Sequence, residues 1–391
     1  MRKVVIIGAG QTKFGERWEK SLKDLMAEAG TKAVMDSEIT GDEIDALYTG
    51  CMASGRLIGQ EHIGALVADQ VGLNPIPSTR VEAACASGGT ALRTAYLSIK
   101  SGEHDTVVAG GGEKMVDVLT GRVNYALGGA GDQETEVFNG ATFAALYGLM
   151  ARKHMEKYGT TEEQLGKVAV KNHENGAKNP KAQYQREISL EAVMNSTEIA
   201  SPLKLFDCSP ITDGAASVVL TTREKAEEMG KEYVEIAGSG QASDTLDLAN
   251  RKSITKIKAT EVASQIAYKE AGVNSEEIDF AEVHDCFTIA EIMAMEDLGF
   301  YEKGEAAKAV ERGETRLRGK IPINPSGGLK SKGHPVGATG IAQAVENYKQ
   351  LTGKAGERQI ENPEIGLSHN VGGTGATAVV HIFKKPQEER R

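Results

Sequence analysis

The stretches VVIIGAGQ (Val4–Gln11) and VEIAGSGQ (Val234–Gln241) share an apolar run followed by G-x-G-Q, 230 residues apart. Two further pairs of similar segments follow in the same order: DEIDALYTGC (Asp42–Cys51) with EEIDFAEVHDC (Glu276–Cys286), and GAASVVL (Gly214–Leu220) with GATAVVH (Gly375–His381). Three ordered matches indicate that one structural unit occurs twice in the chain.

The spacing of the repeats locates an insertion. The offset between paired segments is 230 to 234 residues for the first two pairs but 161 for the third, so the first half holds at least 73 additional residues. We therefore predict an N-terminal half at 1–118 and 205–225, an inserted loop domain at 119–204, a C-terminal half at 226–385 and a tail at 386–391.

Strand and helix patterns alternate within each half. VVIIGAG has the pattern of a buried strand, LKDLMAEAGTKAVMD that of an amphipathic helix, and TVVAGGG that of a strand ending in a glycine turn at 110–112. This alternation predicts an α/β fold with a mostly parallel, helix-covered sheet. In such folds ligands bind at the carboxyl ends of the strands, so functional residues are expected just after strands.

The glycines after the first strand raise the question of a nucleotide cofactor. Gly8 and Gly10 match the start of a dinucleotide-binding fingerprint, but Lys13 stands where its third glycine is required. We therefore interpret this G-x-G as a strand-to-loop turn, reject NAD, and expect no cofactor and no metal.

Composition narrows the class of protein further. The 391 residues carry a net charge of −10, which excludes a general nucleic-acid-binding surface. The four cysteines form no C-x-x-C pair and are too sparse for a disulfide framework, which indicates a reducing compartment. The absence of a run of ~18 apolar residues predicts no membrane span, so we expect a cytoplasmic protein.

Cys85 lies in VEAACASGGTALRTAYLSIKSG, just before a helical pattern that ends near Gly102. The positive end of a helix dipole favours a thiolate at this position, and the small neighbours leave room for a substrate. A buried structural cysteine among small residues explains the stretch equally well. The local sequence leaves both interpretations open.

His334 occupies the corresponding place in the second half. It precedes a helical pattern that ends near Gly353, as Cys85 precedes the helix that ends near Gly102. Taken alone, a loop histidine beside Pro335 needs no function. A pseudo-twofold axis would bring the two helix N-termini together, however, and a thiol beside an imidazole is a nucleophile–base pair.

Two further stretches place chemically active side chains after predicted strands. AEVHDCFTIAE ends a strand-like run at His284 and Cys286, whose spacing fits a catalytic loop better than a zinc site. GLSHNVGG places His369, Asn370 and Gly372 after another strand, where backbone N–H groups could stabilise an oxyanion. A plain turn is an equally good interpretation of the second stretch.

The combination of the Cys85 helix, H-D-C-F, G-H-P-V-G-A-T-G (Gly333–Gly340) and H-N-V-G-G resembles the thiolase superfamily over nearly the whole chain. Ordinary thiolases carry N-E-A-F in place of H-D-C-F and a terminal C-x-G in place of Asn370-Val371-Gly372. The pattern here is similar to sterol-carrier-type thiolases and archaeal acetoacetyl-CoA thiolases. The resemblance implies duplicated βαβαβαββ halves in a five-layered α-β-α-β-α sandwich with an inserted loop domain.

The resemblance also implies catalytic roles. Cys85 would carry an acetyl group, His334 would activate it, and Cys286 would remove a proton from the second acetyl-CoA. The enolate oxygen would be stabilised by His334 and by a water or direct donor held by His284. The backbone N–H groups of Cys85 and of a residue near Gly372 would form the second oxyanion hole, lined by Asn370 and His369. The resulting function is the condensation of two acetyl-CoA molecules to acetoacetyl-CoA, the first step of the mevalonate pathway.

Coenzyme A contacts and partners follow from the same resemblance. We expect the ligand to lie near six residues that follow strands or turns: Lys332, Ser326, Gly327, Asp207, Cys208 and Ser209. The insertion has few basic residues for a phosphate clamp. Archaeal relatives work with a hydroxymethylglutaryl-CoA synthase and a small zinc-and-OB-fold scaffold protein, so a complex of this kind, and at least a homodimer, are expected.

Three other functions compete with this one. A degradative 3-ketoacyl-CoA thiolase has the same active site and differs in direction and chain length. A non-catalytic lipid- or acyl-CoA-binding homologue would not need Cys85, His284, Cys286 and His334 together. The condensing synthases pair Cys and His with a catalytic Glu, and no such residue stands out in this sequence.

Overall fold

The computed structural model describes residues 2–386. The first half contains the strands β1 to β4 and the helices α1 to α4: β1 Val4–Gln11, α1 Leu22–Ser37, β2 Ala46–Gly50, α2 Ser54–Leu57, α3 Ile63–Gln70, β3 Ser78–Val81, α4 Ser87–Ser101 and β4 Thr106–Glu113. Between residues 114 and 213 lie four α-helices and a two-stranded sheet: α5 Thr120–Gly128, α6 Phe143–Tyr158, α7 Glu162–Ala177, α8 Leu190–Met194, β5 Glu198–Ala200 and β6 Leu203–Lys204. Two elements complete the first half: β7 Gly214–Thr222 and α9 Arg223–Glu228.

The second half repeats the order of the first, but the segment before its last strand is much shorter: β10 and β11 are joined by residues 373–376, whereas residues 114–213 separate β4 from β7. Its elements are β8 Val234–Ser243, α10 Lys258–Ala271, β9 Phe280–Glu282, α11 Thr288–Asp297, α12 Ala306–Glu311, α13 Thr339–Leu351, β10 Ile365–Gly372 and β11 Thr377–Lys384. Nine strands form one sheet in the order β3-β2-β4-β7-β1-β8-β11-β10-β9. The two half-sheets join through only two residue pairs of β1 and β8, so the second half mirrors the first across this seam.

The packing produces five layers. Alternate residues of β1 face opposite sides: Val4 and Ile6 pack in the central core with α4 and α13, whereas Val5 and Ile7 pack against α1. On the other half-sheet, α10 covers the outer face of β11. Helices α4 and α13 therefore lie between the half-sheets, with α1 and α10 outside, which confirms the predicted α-β-α-β-α sandwich.

Two local predictions were wrong. The sheet is mixed, because β4, β7, β1, β8, β11 and β10 pair antiparallel and only β3-β2, β2-β4 and β9-β10 are parallel. The glycines at 110–112 form no turn but belong to β4, where a side chain at Gly111 would overlap the carbonyl of Gly337 before α13. Glycine here permits close approach of a helix terminus to the sheet.

The G-x-G repeats have the same explanation, which corrects their interpretation as turns. Gly8 and Gly10 lie within β1 under α1, and Gly238 and Gly240 lie within β8 under α10. A Cβ atom at any of the four would overlap a backbone carbonyl of the covering helix. The repeated motif therefore sets the distance between strand and outer helix in both halves.

Replacing Gly240 with alanine is expected to lower the free energy of unfolding by about 3 kcal/mol, because the new methyl group meets the Ala263 carbonyl and α10 must shift. Gly30→Ala is the matched control, since Gly30 lies in α1 with no atom within 4 Å of the new methyl position. It should stabilise by about 1 kcal/mol through helix propensity. Denaturant unfolding of both variants measures the contrast; equal stability would contradict the packing argument.

The boundaries of the inserted domain, at 119 and 204, remain a prediction. Of the predicted tail at 386–391, residues 387–391 lie outside the part of the chain that the structure describes. Within residues 2–386, none of the helices combines the length and the apolar character that crossing a membrane requires.

Candidate active site

Cys85 lies at a tight turn between β3 and α4. Ala84 adopts a left-handed conformation with φ of 52°, which is uncommon for a residue that carries a Cβ atom. Backbone bonds from Ala86 N to Ala83 O and from Ser87 N to Ala84 O, each of 3.0 Å, close the turn. The turn presents the Cys85 side chain beside the start of α4.

The Cys85 thiol is not acidic by itself. Burial raises its pKa to about 12, although the backbone N–H groups of Gly373 and of Cys85 itself favour the thiolate. The helix terminus is thus outweighed by desolvation, contrary to the expectation of a thiolate favoured at this position. A neighbouring base is required to remove the proton as the sulfur reacts.

His334 has the geometry of that base. The Thr339 hydroxyl donates its one hydrogen to Pro335 O at 3.1 Å and accepts from His334 Nδ1 at 2.7 Å. The proton of the neutral imidazole is therefore on Nδ1, and the lone pair is on Nε2, which has no hydrogen-bond partner among the described residues. Burial, with Lys332 nearby, lowers the pKa of His334 to about 3, so the ring is neutral.

His284 has the opposite tautomer. The backbone N–H of Gly89 donates to Asn370 Oδ1 at 3.1 Å, so the Asn370 amide nitrogen donates to His284 Nδ1, also at 3.1 Å. His284 must then carry its proton on Nε2, which is likewise unpaired within residues 2–386. Burial lowers the pKa of His284 well below its ordinary value. This imidazole is a neutral hydrogen-bond donor.

The three side chains meet at one point. The Cys85 sulfur and one nitrogen each of His284 and His334 lie within 4.8 Å of one another. The rings are edge to face, with centroids 5.0 Å apart and an interplanar angle of 81°. A thiol, a proton acceptor and a proton donor in this arrangement can perform nucleophilic acyl transfer. The same ligand types could bind zinc, so assays require a chelator control.

A second thiol, that of Cys286, shares the cavity. The loop that carries it is held in place by its own carbonyl, which accepts from Ser209 N at 2.9 Å. Burial, and next the Cys85 sulfur, raise the pKa of Cys286. The cavity has a volume of about 450 Å³ and reaches Cys85, Cys286 and His334. Its walls are largely apolar: Leu127, Phe143, Tyr147, Ile199, Leu205 and Phe287.

The predicted coenzyme A contacts divide into two groups. Cys208 and Ser209 line the cavity. Lys332 does not, because its ammonium group is buried between Glu282 at 3.1 Å and the Ser326 hydroxyl at 2.7 Å. The expectation that Lys332 contacts the ligand is therefore wrong, because Lys332 forms a buried ion pair with Glu282.

The other three residues of that prediction also serve the fold. Ser326 donates its hydroxyl to Glu282 at 2.6 Å. Gly327 has φ of 103° and packs on the backbone of Gly176. Asp207 accepts from the Thr288 hydroxyl at 2.7 Å. None of the three lines the cavity as the structure describes it.

His369, Asn370 and Gly372 lie within β10, not after it as predicted. Because side chains alternate along a strand, Asn370 faces α4 and the site, whereas His369 faces outward and bonds Thr260 of α10 at 2.9 Å. His369 is therefore not a lining residue. Gly372 packs against the Cys85 loop, and the N–H group next to the Cys85 sulfur belongs to Gly373.

Sequence reasoning missed Thr339 and Tyr147, and it placed the second N–H donor only near Gly372. Gly373 supplies the N–H group just described. Thr339 fixes the tautomer of His334, and its place five residues after the histidine on the next helix could have suggested this contact. Tyr147, on α6 of the insertion, lines the cavity beside Cys286, but its sequence pattern is that of an ordinary core aromatic residue.

The sequence matches two family models that together span most of the chain. Residues 4–224 match the thiolase N-terminal domain, and residues 240–385 match the thiolase C-terminal domain-like family. The structure is similar to a solved structure titled Ltp2-ChsH2(DUF35) aldolase, with a TM-score of 0.84, 27% identity and 99% coverage of both chains.

Several curated proteins are similar over nearly the full length. A protein named acetyl-CoA acetyltransferase from Methanothermobacter thermautotrophicus is 54% identical, covering 98% of this chain and 100% of the relative. A protein of the same name from Methanocaldococcus jannaschii is 50% identical, covering 98% and 99%. Human sterol carrier protein 2 is 34% identical over 98% of this chain and 72% of its own length. The two matched domains and these relatives establish that the chain belongs to the thiolase family.

Proposed function

We propose that this enzyme is an acetyl-CoA C-acetyltransferase that condenses two acetyl-CoA molecules to acetoacetyl-CoA through an acetyl-Cys85 intermediate. One observation carries the proposal: a thiol lies beside two neutral imidazoles of opposite tautomer, with a second thiol in the same cavity. The names of the archaeal relatives support the choice of substrate.

In the first step, His334 Nε2 accepts the Cys85 proton as the sulfur attacks the thioester carbonyl. The backbone N–H groups of Cys85 and Gly373 stabilise the oxyanion. Cys286 protonates the departing coenzyme A thiolate. The step leaves acetylated Cys85, protonated His334 and a Cys286 thiolate.

In the second step, the Cys286 thiolate removes a methyl proton from the incoming acetyl-CoA. His284 and the protonated His334 each donate from Nε2 to the enolate oxygen. The enolate carbon attacks the acetyl group, and the Cys85 thiolate leaves and recovers its proton from His334. Both thiols end protonated, as their raised pKa values require of the resting enzyme.

The proposal also covers the direction of the reaction and the pathway in which it takes place. The site supports condensation and thiolysis equally, so a degradative 3-ketoacyl-CoA thiolase is the second candidate function. We place the reaction at the start of the mevalonate pathway in the cytoplasm, in keeping with four unpaired cysteines. Comparing turnover of short and long 3-ketoacyl-CoA substrates separates the two candidates.

Coenzyme A binding is the basis for a proposed complex. The described residues that line the cavity include no Lys or Arg for the coenzyme A phosphates. Leu119 and Phe138, in the inserted segment, are 86% and 87% exposed. The similar structure is titled with a DUF35 component. We propose that a small scaffold protein, together with a hydroxymethylglutaryl-CoA synthase, completes the site; native co-purification tests this, and a lone homodimer with full activity would contradict it.

The direct test of the proposed function is to locate the acetyl group. The enzyme is incubated with isotope-labelled acetyl-CoA, quenched in acid, digested and analysed by peptide mass spectrometry. The label is expected on Cys85. Label on Cys286 or Cys208 instead, or none, would overturn the assignment of the nucleophile.

Asn370→Ala tests the tautomer of His284. Removing the amide donor frees His284 Nδ1 to carry the proton, so fewer molecules present Nε2–H to the enolate. Condensation should fall ~10- to 100-fold, as is usual when a group that orients a catalytic residue is lost. Exchange of labelled coenzyme A into acetyl-CoA, which needs no enolate, should change far less. An equal loss of both rates would contradict the role given to Asn370.

A further inference from the structure

Tyr147 places a phenol group in the cavity that holds the two thiols. The residue lies on α6, is only 1% exposed, and stacks its ring on Phe287 with centroids 4.7 Å apart. Its hydroxyl donates to the carbonyl of Gly373 at 3.0 Å. The mechanism above gives this buried hydroxyl no task.

The hydroxyl reaches both halves of the reaction centre. Tyr147 and Cys286 line the same cavity, and the Tyr147 ring stacks on Phe287, the residue next to Cys286. The nearby phenol lowers the pKa of Cys286 and so favours its thiolate. The residue whose carbonyl it holds, Gly373, directs its own backbone N–H group, in the preceding peptide unit, toward the Cys85 sulfur. One phenol therefore shares the cavity with the proposed base and bonds the loop that supports the nucleophile.

A phenol has one hydrogen to donate. With Cys286 protonated, the hydrogen goes to the Gly373 carbonyl, as observed. Once Cys286 loses its proton, the thiolate is a stronger acceptor than a neutral carbonyl, because charge-assisted hydrogen bonds are roughly twice as strong as neutral ones. The hydrogen then turns toward the sulfur.

The loop can release that hydrogen without losing its position. Arg251 donates from its guanidinium group to Thr374 O at 2.6 Å and to Thr374 Oγ1 at 2.8 Å. These bonds hold the residue after Gly373 independently of Tyr147. The guanidinium charge also favours a negative charge on this side of the cavity.

We propose that Tyr147 is a positioning residue that stabilises the Cys286 thiolate through its hydroxyl, and so serves carbon–carbon bond formation, which needs that thiolate as the base, far more than acetyl transfer. The inference rests on the proposed function, because it requires Cys286 to act as the base. It predicts that the two half-reactions respond differently to the loss of a single oxygen atom.

The test is Tyr147→Phe, measured in two assays on the full-length enzyme. Exchange of labelled coenzyme A into acetyl-CoA reports acetyl transfer and should stay within about threefold of the wild-type rate. Exchange of the acetyl-CoA methyl hydrogens with deuterium in the solvent reports proton removal by Cys286. It should fall ~10- to 100-fold at neutral pH, since one hydrogen bond to a charged group is lost. Its rise with pH should be displaced to higher pH.

Two further variants serve as a control and as an alternative to Tyr147→Phe. Tyr268→Phe removes a phenol-to-carbonyl bond of 2.9 Å to Leu298 that lies outside the cavity, and it should leave both rates unchanged. If Tyr147→Phe does not fold, 3,5-difluorotyrosine at position 147 keeps the shape but makes the phenol a stronger donor. Methyl exchange should then reach the same rate at lower pH.

The outcomes separate this inference from the function on which it rests. Equal loss of both exchange rates in Tyr147→Phe, or no displacement of the pH profile in either variant, would overturn the role of Tyr147. Methyl exchange at the wild-type rate in Cys286→Ala would instead overturn Cys286 as the base.

Discussion

Replacing Cys85 with alanine is expected to abolish coenzyme A exchange and condensation, each by ~10⁴-fold or more, because the sulfur forms the covalent bond on which both steps depend. The turn at Ala84 and the start of α4 do not depend on the thiol, so the fold should be retained. Steady-state rates and peptide mass spectrometry after incubation with labelled acetyl-CoA measure the effect.

Cys208→Ala is the matched control, because Cys208 lines the same cavity and its sulfur contacts only the Lys204 carbonyl at 3.4 Å among the hydrogen bonds of the structure. Its activity should stay within a few-fold of wild type. Acetyl label accumulating at a normal rate on the Cys85→Ala enzyme would show that another group is the nucleophile, and the account of both steps would fail.

The division of the chain into two similar halves was predictable from sequence, because the glycines of the G-x-G segments set the distance between a strand and the helix that covers it. Each glycine must leave room for a helix carbonyl, so the pattern persists in both halves. The strand directions were not predictable, because alternation of strands and helices does not say which strands become neighbours. β1 and β7 are far apart in sequence yet adjacent, and β10 and β11 form a hairpin.

The placement of Cys85 opposite His334 followed from the same symmetry, since each precedes one of the two central helices. The protonation pattern did not follow, because it depends on contacts between distant segments: Gly89 with Asn370, and Asn370 with His284. Lys332 lies two residues before His334, which suggested a contact with the ligand, but its ammonium group forms an ion pair with the buried carboxylate of Glu282. The sequence around Tyr147 has the pattern of a core aromatic residue, and its ring is indeed buried in the core. Only its lining of the cavity distinguishes it, and the sequence gives no sign of that.

The second large effect is expected from Cys286→Ala. Methyl-hydrogen exchange and condensation should fall ~10³- to 10⁴-fold, near the upper range for loss of a general base. Coenzyme A exchange should fall by no more than about tenfold, because a coenzyme A thiolate is a good leaving group even without a proton from Cys286. Peptide mass spectrometry should show that acetyl-Cys85 accumulates.

This split distinguishes a base from a structural thiol. A structural defect at Cys286 would loosen the contact between its carbonyl and Ser209 N and would slow both half-reactions together. Cys286→Ser is the matched variant: it keeps size and hydrogen bonding but is a far weaker acid, so it should transfer acetyl groups at least as fast as Cys286→Ala and still fail at methyl exchange. If serine restored methyl exchange, the basicity of the sulfur would not be what the reaction uses, and the second step would need another base.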